Sequence, residues 1–248
     1  MNDQILAVFY DVDGVIYNRN LCEQDAVSSV LKTECNISIS NYMDHWTNCN
    51  HFGWNNCAEK SMAAEFAKVY RWQLMLKELG IAISLDDAQF LSQRYYQLAC
   101  DKKYLVTGIK TVLEACHLHG LPMGIITNGF DDIQRRKLST CGVDFFFSEI
   151  VSEKRTGFRK PDLRIFQYAL DCMNVNASQA IYIGNSFAND IIPASKIGMK
   201  AIWFDCNRQL PIDKAQYVPQ GIHPISSVYS MLPIIFPEKK NSFRGDTL

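Results

Sequence analysis

No stretch of this 248-residue chain approaches the roughly 18 consecutive apolar residues that a membrane-spanning helix needs. The apolar run Ile5–Tyr10 is also too short for a secretory core, and Asp11 and Asp13 follow it at once. The chain is therefore expected in the cytoplasm, with no membrane partner. Neither sign of charge is in excess, since 25 basic residues stand against 26 acidic ones for a net charge of −1. That balance argues against a nucleic-acid polymer or an anionic lipid surface as the main partner. A bound phosphate would need a locally built site. The nine cysteines are odd in number and show neither a repeated CxxC nor a Cys/His pattern. That argues against both a disulfide framework and a zinc site, and favours reduced thiols that serve as small core residues.

The sequence does have enough apolar material for a full core, with 48 % hydrophobic against 21 % charged residues. Its length suits one large domain, or a core domain carrying an inserted module. Ile5–Tyr10 is a short continuous apolar run, the signature of a strand buried on both faces. Runs of the same type return at Pro122–Ile126, Phe145–Val151, Ala180–Ile183 and Ala201–Phe204. Helix-like segments separate them at Ile133–Cys141, Asp162–Met173 and Ile191–Ile197, and Ile109–His119 precedes the second run. Alternating strands and helices predict an α/β fold with right-handed crossovers and a mostly parallel sheet.

The alternation breaks once, between Asn18 and Val106. Met62–Leu79 carries apolar residues at helical spacing (Phe66, Val69, Tyr70, Leu74, Leu76), and Gly80 stands where a helix would stop. Ser84 and Asp87 resemble a capping box ahead of a helix over Ala88–Cys100, and Asp25–Thr33 predicts another. An all-helical insert between the first two strands reads as a separate module. The expected division is a core of residues 1–17 and 107–237, an insert of 18–106, and a frayed tail of 238–248.

In a parallel sheet, ligands bind beyond the carboxyl ends of the strands. The residues following the runs are Asp11 and Asp13 with Gly14, then Thr127-Asn128-Gly129, then Lys160-Pro161, then Gly184-Asn185-Ser186 with Asn189 and Asp190. Taken singly each has a bland reading. Asp pairs and Thr-Asn-Gly are ordinary turn sequences, Lys-Pro can be a solvated lysine before an N1 proline, and Asn189-Asp190 can cap a helix. Together they fall in order at one sheet edge. Adjacent carboxylates attract a hard cation that keeps waters and substrate phosphate. A threonine hydroxyl with neighbouring N–H groups can hold phosphate oxygens, and a lysine offsets their charge. One carboxylate can act as nucleophile while the second serves as acid and then base.

With these segments the chain resembles the haloacid dehalogenase superfamily of phosphohydrolases from Leu6 to Phe204. Its motifs appear as Asp11-x-Asp13-Gly14-x-x-Tyr17, Thr127-Asn128-Gly129, Lys160-Pro161 and Gly184-Asn185-Ser186-x-x-Asn189-Asp190. The resemblance implies a Rossmann-like three-layer core with an inserted all-helical cap of class I. It implies a phosphomonoester hydrolase that uses Mg2+ and a phosphoaspartyl intermediate. Asp11 would be the nucleophile, and Asp13 would protonate the leaving oxygen and then activate water. Thr127 and the Asn128 amide would bind the phosphoryl group and Lys160 would offset its charge, with a flap of strand and turn just after Asp13. Magnesium would sit on Asp11, the Asp13 backbone carbonyl and the fourth motif, through Asn185 and Asp190. Asn185 departs from the usual Asp, which keeps an oxygen but removes a full charge, so metal affinity should fall. Asp190 would compensate directly or through water. Arg159 is a competing phosphate-side cation or a solvated surface arginine.

Thr127–Leu138 and Lys160–Leu170 look like the bacterial nucleoside 5′-monophosphatase group and are similar to the N-acylneuraminate-9-phosphatases. A small-molecule phosphomonoester is the expected partner, with a nucleoside 5′-monophosphate first and a sugar phosphate or acylneuraminate phosphate as alternative. A dehalogenase fits poorly because Asp13 is present, and Thr-Asn-Gly fits hydrolases better than a phosphoglucomutase-like enzyme. The Asn185 departure leaves open a catalytically weakened phosphate-binding module. His45–Trp54 reads either as a ligand-stacking stretch or as a loop anchored on the insert's own helices, with Trp46 in the core. Met62, Trp72 and Met75 read as core of the insert. His117 and His119 read as residues at a helix C-terminus, not as a metal pair.

Overall fold

In the computed structural model, which describes residues 4–59, 64–204 and 221–239, the chain divides after Asn18 and after Lys102 into two compact units. The strands are β1 (Ala7–Tyr10), β2 (Met123–Thr127), β3 (Phe147–Ser152), β4 (Ala180–Gly184), β5 (Lys200–Phe204) and β6 (Ile222–Ile225). The α-helices run α1 (Arg19–Glu34), α2 (Tyr42–Glu59), α3 (Ala64–Glu78), α4 (Leu85–Asp101), α5 (Ile109–Leu118), α6 (Asp131–Cys141), α7 (Glu153–Thr156), α8 (Leu163–Met173), α9 (Ile192–Ile197) and α10 (Leu232–Ile235).

The first unit is built on one sheet, whose six strands pair parallel in the order β3-β2-β1-β4-β5-β6. Every residue of β1 is shut off from solvent, which is why its sequence does not alternate. On one face Ala7 and Phe9 join Tyr182 of β4 and Phe166, Ala169 and Leu170 of α8 in a single core. From the same strand the Tyr10 hydroxyl reaches Cys116 Sγ of α5 at 3.6 Å. Helices on both faces of a parallel sheet make the three-layer, Rossmann-like core. Strand order reverses between β1 and β4, and in such sheets that reversal opens a crevice beyond the carboxyl ends. Asp11 leaves β1 there, its N–H bonded to the Ile183 carbonyl at 2.9 Å.

The second unit is all helical, α1 to α4, with its own core of Trp46, Trp72, Tyr95, Met75, Val27 and their neighbours. α4 opens on the capping box read in the sequence, with Ser84 accepting from Asp87 N–H and Asp87 bonding back. Gly80 ends α3 at a φ of +77°. Met62 lies outside the described residues; Trp72 and Met75 are fully buried.

Several elements depart from the sequence expectations. The stretch His45–Trp54 belongs to helix α2 and is not a loop; Trp46, Cys49, Asn50 and Gly53 form its buried stripe at helical spacing. The third strand begins at Phe147, because Asp144–Phe146 make a 3-10 turn that leaves the Phe145 ring 67 % exposed. The helix placed at Ile191–Ile197 starts earlier, as a π-helical turn over Phe187–Ile191 that runs into α9. Pro161 follows a cis bond and precedes the cap residue Asp162, so it is not an N1 proline of α8. β6 was not foreseen. In the tail, Glu238 and Lys239 close a 3-10 turn and residues 240–248 lie outside the described ones. Among the described residues, no helix is long and apolar enough to cross a membrane, and Cys22, Cys35, Cys49, Cys100, Cys116, Cys141 and Cys172 are free thiols.

Candidate active site

Four chain segments meet at the carboxyl edge of the sheet, and a lysine ties three of them together. Lys160 is 3 % exposed, and its Nζ lies 2.9 Å from Asp11 Oδ1 and 2.6 Å from Asp190 Oδ1. It also donates to the Tyr182 hydroxyl at 2.9 Å. Tyr182 in turn donates to Asp190 Oδ1 at 3.1 Å, with the Ile126 carbonyl at 3.2 Å as its other acceptor. The Asn128 side chain fixes the lysine's backbone from both sides: Asn128 Oδ1 accepts from Lys160 N–H at 2.7 Å and Nδ2 donates to its carbonyl at 2.8 Å. The Asn128 side chain is thereby engaged with the Lys160 backbone. Thr127, buried at the end of β2, accepts from Gly129 N–H at 3.0 Å, which leaves its hydroxyl proton to donate elsewhere.

The carboxylates sit in different surroundings. Burial pushes the Asp11 carboxyl up to about 7; Lys160 works against that shift, and Asp190 and Asp13 add to it. The Lys160 ammonium resists the effect of burial because Asp11 and Asp190 together hold its pKa above the usual value. Tyr182 is driven well above its usual value, first by burial and then by Asp190 and Asp11, so it remains a neutral donor. Asp190 is 1 % exposed and fully engaged: Oδ1 faces Lys160 and Tyr182, while Oδ2 accepts from Ser186 N–H at 2.9 Å. Gly184 makes this packing possible, since a Cβ there would fall 2.4 Å from that of Asp190.

Asp13 points to α6. Its Oδ2 accepts from Gln134 Nε2 at 2.6 Å and its Oδ1 from Lys137 Nζ at 2.8 Å. Just after it, Gly14 at φ +90° turns the chain, and Tyr17 pairs with both Asp13 and Leu105, the strand-and-turn expected of a flap. Arg159 is 3.9 Å from Glu153.

Among the described residues, no three His, Cys, Asp or Glu side chains form a cluster able to hold a metal. The reason is visible in the contacts above: Asp13 is committed to α6 and Asp190 to Lys160. Oxygen donors suited to a hard cation nevertheless remain. Asn185 is exposed, and its amide occupies the space over Gly14, where a Cβ would lie 2.2 Å from Nδ2. Its carbonyl is anchored by Trp203 Nε1 at 3.1 Å. One carboxylate, one amide oxygen and a main-chain carbonyl fit magnesium, which binds through few protein ligands and keeps waters and phosphate oxygens.

Tyr182, Gln134 and Lys137 escaped the reading of the sequence. Tyr182 was hidden inside an apolar strand, and the other two lie one helical turn apart on what reads as a polar helix.

Comparison with known proteins places this geometry in a family. A glyceraldehyde 3-phosphate phosphatase of Methanocaldococcus jannaschii is 24 % identical over 242 residues, 96 % of this chain and all of that one. The pyrimidine 5′-nucleotidase PynA of Streptococcus pneumoniae is 21 % identical over 199 residues, covering 80 % of this chain and 83 % of its own. The magnesium-bound structure of the HAD-hydrolase YfnB from Bacillus subtilis shares the fold with a TM-score of 0.81 at 22 % identity, over 94 % of this chain and 99 % of that one. Residues 8–204 match the family model of the haloacid dehalogenase-like hydrolases, and the chain belongs to that family.

Proposed function

We propose that the chain is a magnesium-dependent phosphomonoester hydrolase working through an aspartyl phosphate on Asp11, with a nucleoside 5′-monophosphate as first substrate. The observation that carries this reading is the buried Asp11–Lys160–Asp190 network at the strand-order reversal, with Asp13 two residues beyond and Thr127 on the neighbouring strand. An Asp11 oxygen attacks phosphorus, the bond to the ester oxygen breaks, and Asp13 gives that oxygen its proton. Water then attacks the aspartyl phosphate, Asp13 takes its proton, and phosphate leaves with the Asp11 carboxylate restored. Thr127 and the Asn128 N–H hold the phosphoryl oxygens while Lys160 balances their charge. Asp11, the Asp13 main-chain carbonyl and Asn185 would hold magnesium; Asp190 serves to keep Lys160 in place. When bound, the ion supplies Lewis-acid polarisation of the phosphoryl group and neutralises charge against the nucleophile.

Substrate class follows from two supports: the Thr127–Leu138 and Lys160–Leu170 segments, and relatives that act on a pyrimidine nucleotide and on a three-carbon phosphate. A screen of nucleotides, sugar phosphates and glyceraldehyde 3-phosphate should show magnesium-dependent release of phosphate, lost in Asp11→Asn by more than about a thousandfold. Turnover that survives this substitution would remove Asp11 from the reaction.

A further inference from the structure

We propose that Gln134 and Lys137 are positioning residues that aim the Asp13 carboxylate during proton transfer, an inference that rests on the phosphatase reading above. Both side chains come from α6, one turn apart, and each holds a different oxygen of Asp13, at 2.6 Å and 2.8 Å. The grip is rigid because its members are themselves packed. Gln134 is 1 % exposed, and the Lys137 ammonium lies 4.5 Å above the Tyr17 ring. Tyr17 is fixed in turn by its pairing with Asp13 and Leu105.

Folding alone gives poor reason for this arrangement. The buried Gln134 Oε1 has no hydrogen-bond partner, a loss that an apolar side chain would avoid. A buried lysine beside a carboxylate also loses hydration, and replacement of such pairs by apolar residues is often neutral or stabilising. The backbone has even made room, since a Cβ on Gly129 would fall 1.9 Å from Gln134 Nε2. That glycine closes the Thr127-Asn128-Gly129 turn, so one short segment shapes the phosphate side and admits the residue that steers the acid. Gripping both oxygens fixes the plane of the carboxylate, a requirement for placing one proton on the leaving oxygen and collecting another from water.

The test is leaving-group dependence. p-Nitrophenolate departs without a proton, whereas an alkoxide does not, and kcat/KM reports the steps up to departure. For Lys137→Met we expect kcat/KM on an alkyl phosphate such as glycerol 3-phosphate to fall at least about tenfold further than on p-nitrophenyl phosphate. KM should change little, and Lys137→Arg should recover most of the loss. Gln134→Leu should act in the same direction, more weakly, and carries the comparison if Lys137→Met does not fold. Equal losses on the two substrates, a change confined to KM, or no loss in a folded variant overturns the proposal, as does failure of both variants to fold. A wild-type chain that hydrolyses neither ester overturns instead the phosphatase reading on which it rests.

Discussion

Lys160 is shut away from water between the carboxyl groups of Asp11 and Asp190. Removing one partner from a buried ionic group typically costs about 3–5 kcal/mol, because the remaining charge is left uncompensated. Asp190 therefore belongs to the lysine, and Asn185 is left facing the exposed side of the site. Restoring a carboxylate there should tighten magnesium. For Asn185→Asp, the magnesium concentration giving half-maximal activity should fall on the order of tenfold, equivalent to about 1.4 kcal/mol. A metal titration of phosphate release measures it, and an unchanged midpoint would show that residue 185 lies outside the coordination shell. Asp11, Asp13, Thr127 and Lys160 stand out in the sequence because each ends or follows a strand or lies just before a helix, where polar residues contrast with apolar runs. Tyr182 was not, because a tyrosine within Ala180–Gly184 reads as one more core residue until Lys160 and Asp190 are seen around its hydroxyl.

At the scale of elements, legibility followed burial on both faces. β1, β2, β4 and β5 are continuous apolar runs because helices cover the sheet on either side, and their ends were placed within about two residues, the usual uncertainty of such boundaries. β6 escaped notice for the opposite reason. It is the four-residue edge strand Ile-His-Pro-Ile, and its proline is tolerated because an edge strand need not donate on its outer side. α2 was missed because its buried stripe alternates tryptophan and cysteine with asparagine and glycine, so polar composition concealed the helical period. β6 also carries a testable pH response. Burial, with a contribution from Lys200 on β5, holds the His223 imidazole below its usual pKa. The unfolded chain then takes up a proton that the folded chain resists. Stability from this residue should be complete above the ordinary histidine value of about 6.5 and should be lost as pH falls from there through the depressed folded value. Melting curves between about pH 7.5 and 5 should show that decline, and His223→Gln should flatten it. A parallel decline in the variant would assign the acid sensitivity to other groups.

The whole molecule is a continuous sheet domain interrupted by a helical unit with a core of its own, and the junction shows how the interruption is tolerated. On the sheet side, Asn18 N–H donates to the Tyr104 carbonyl at 2.5 Å and Tyr17 pairs with Leu105, so the two strands of chain entering and leaving the insert run side by side. Val106 N–H adds a bond to the Ile16 carbonyl at 2.9 Å. Closing that gap requires only a short turn. The insert buries Trp46, Trp72 and Tyr95 together around Arg71, whose guanidinium lies 4.5 Å from the Trp46 ring and 4.7 Å from that of Tyr95. Each unit thus contains the contacts that compose its core. A chain in which residues 19–102 are replaced by a Gly-Ser linker of about four residues should therefore unfold in a single cooperative transition. It should retain the Asp11–Lys160–Asp190 network and some turnover of p-nitrophenyl phosphate. If the insert carries the surfaces that distinguish one leaving group from another, discrimination among phosphorylated metabolites should shrink toward uniformity. A shortened chain that keeps the full substrate ranking would place specificity in the sheet domain, and one that melts without cooperativity would show that the sheet domain depends on the insert.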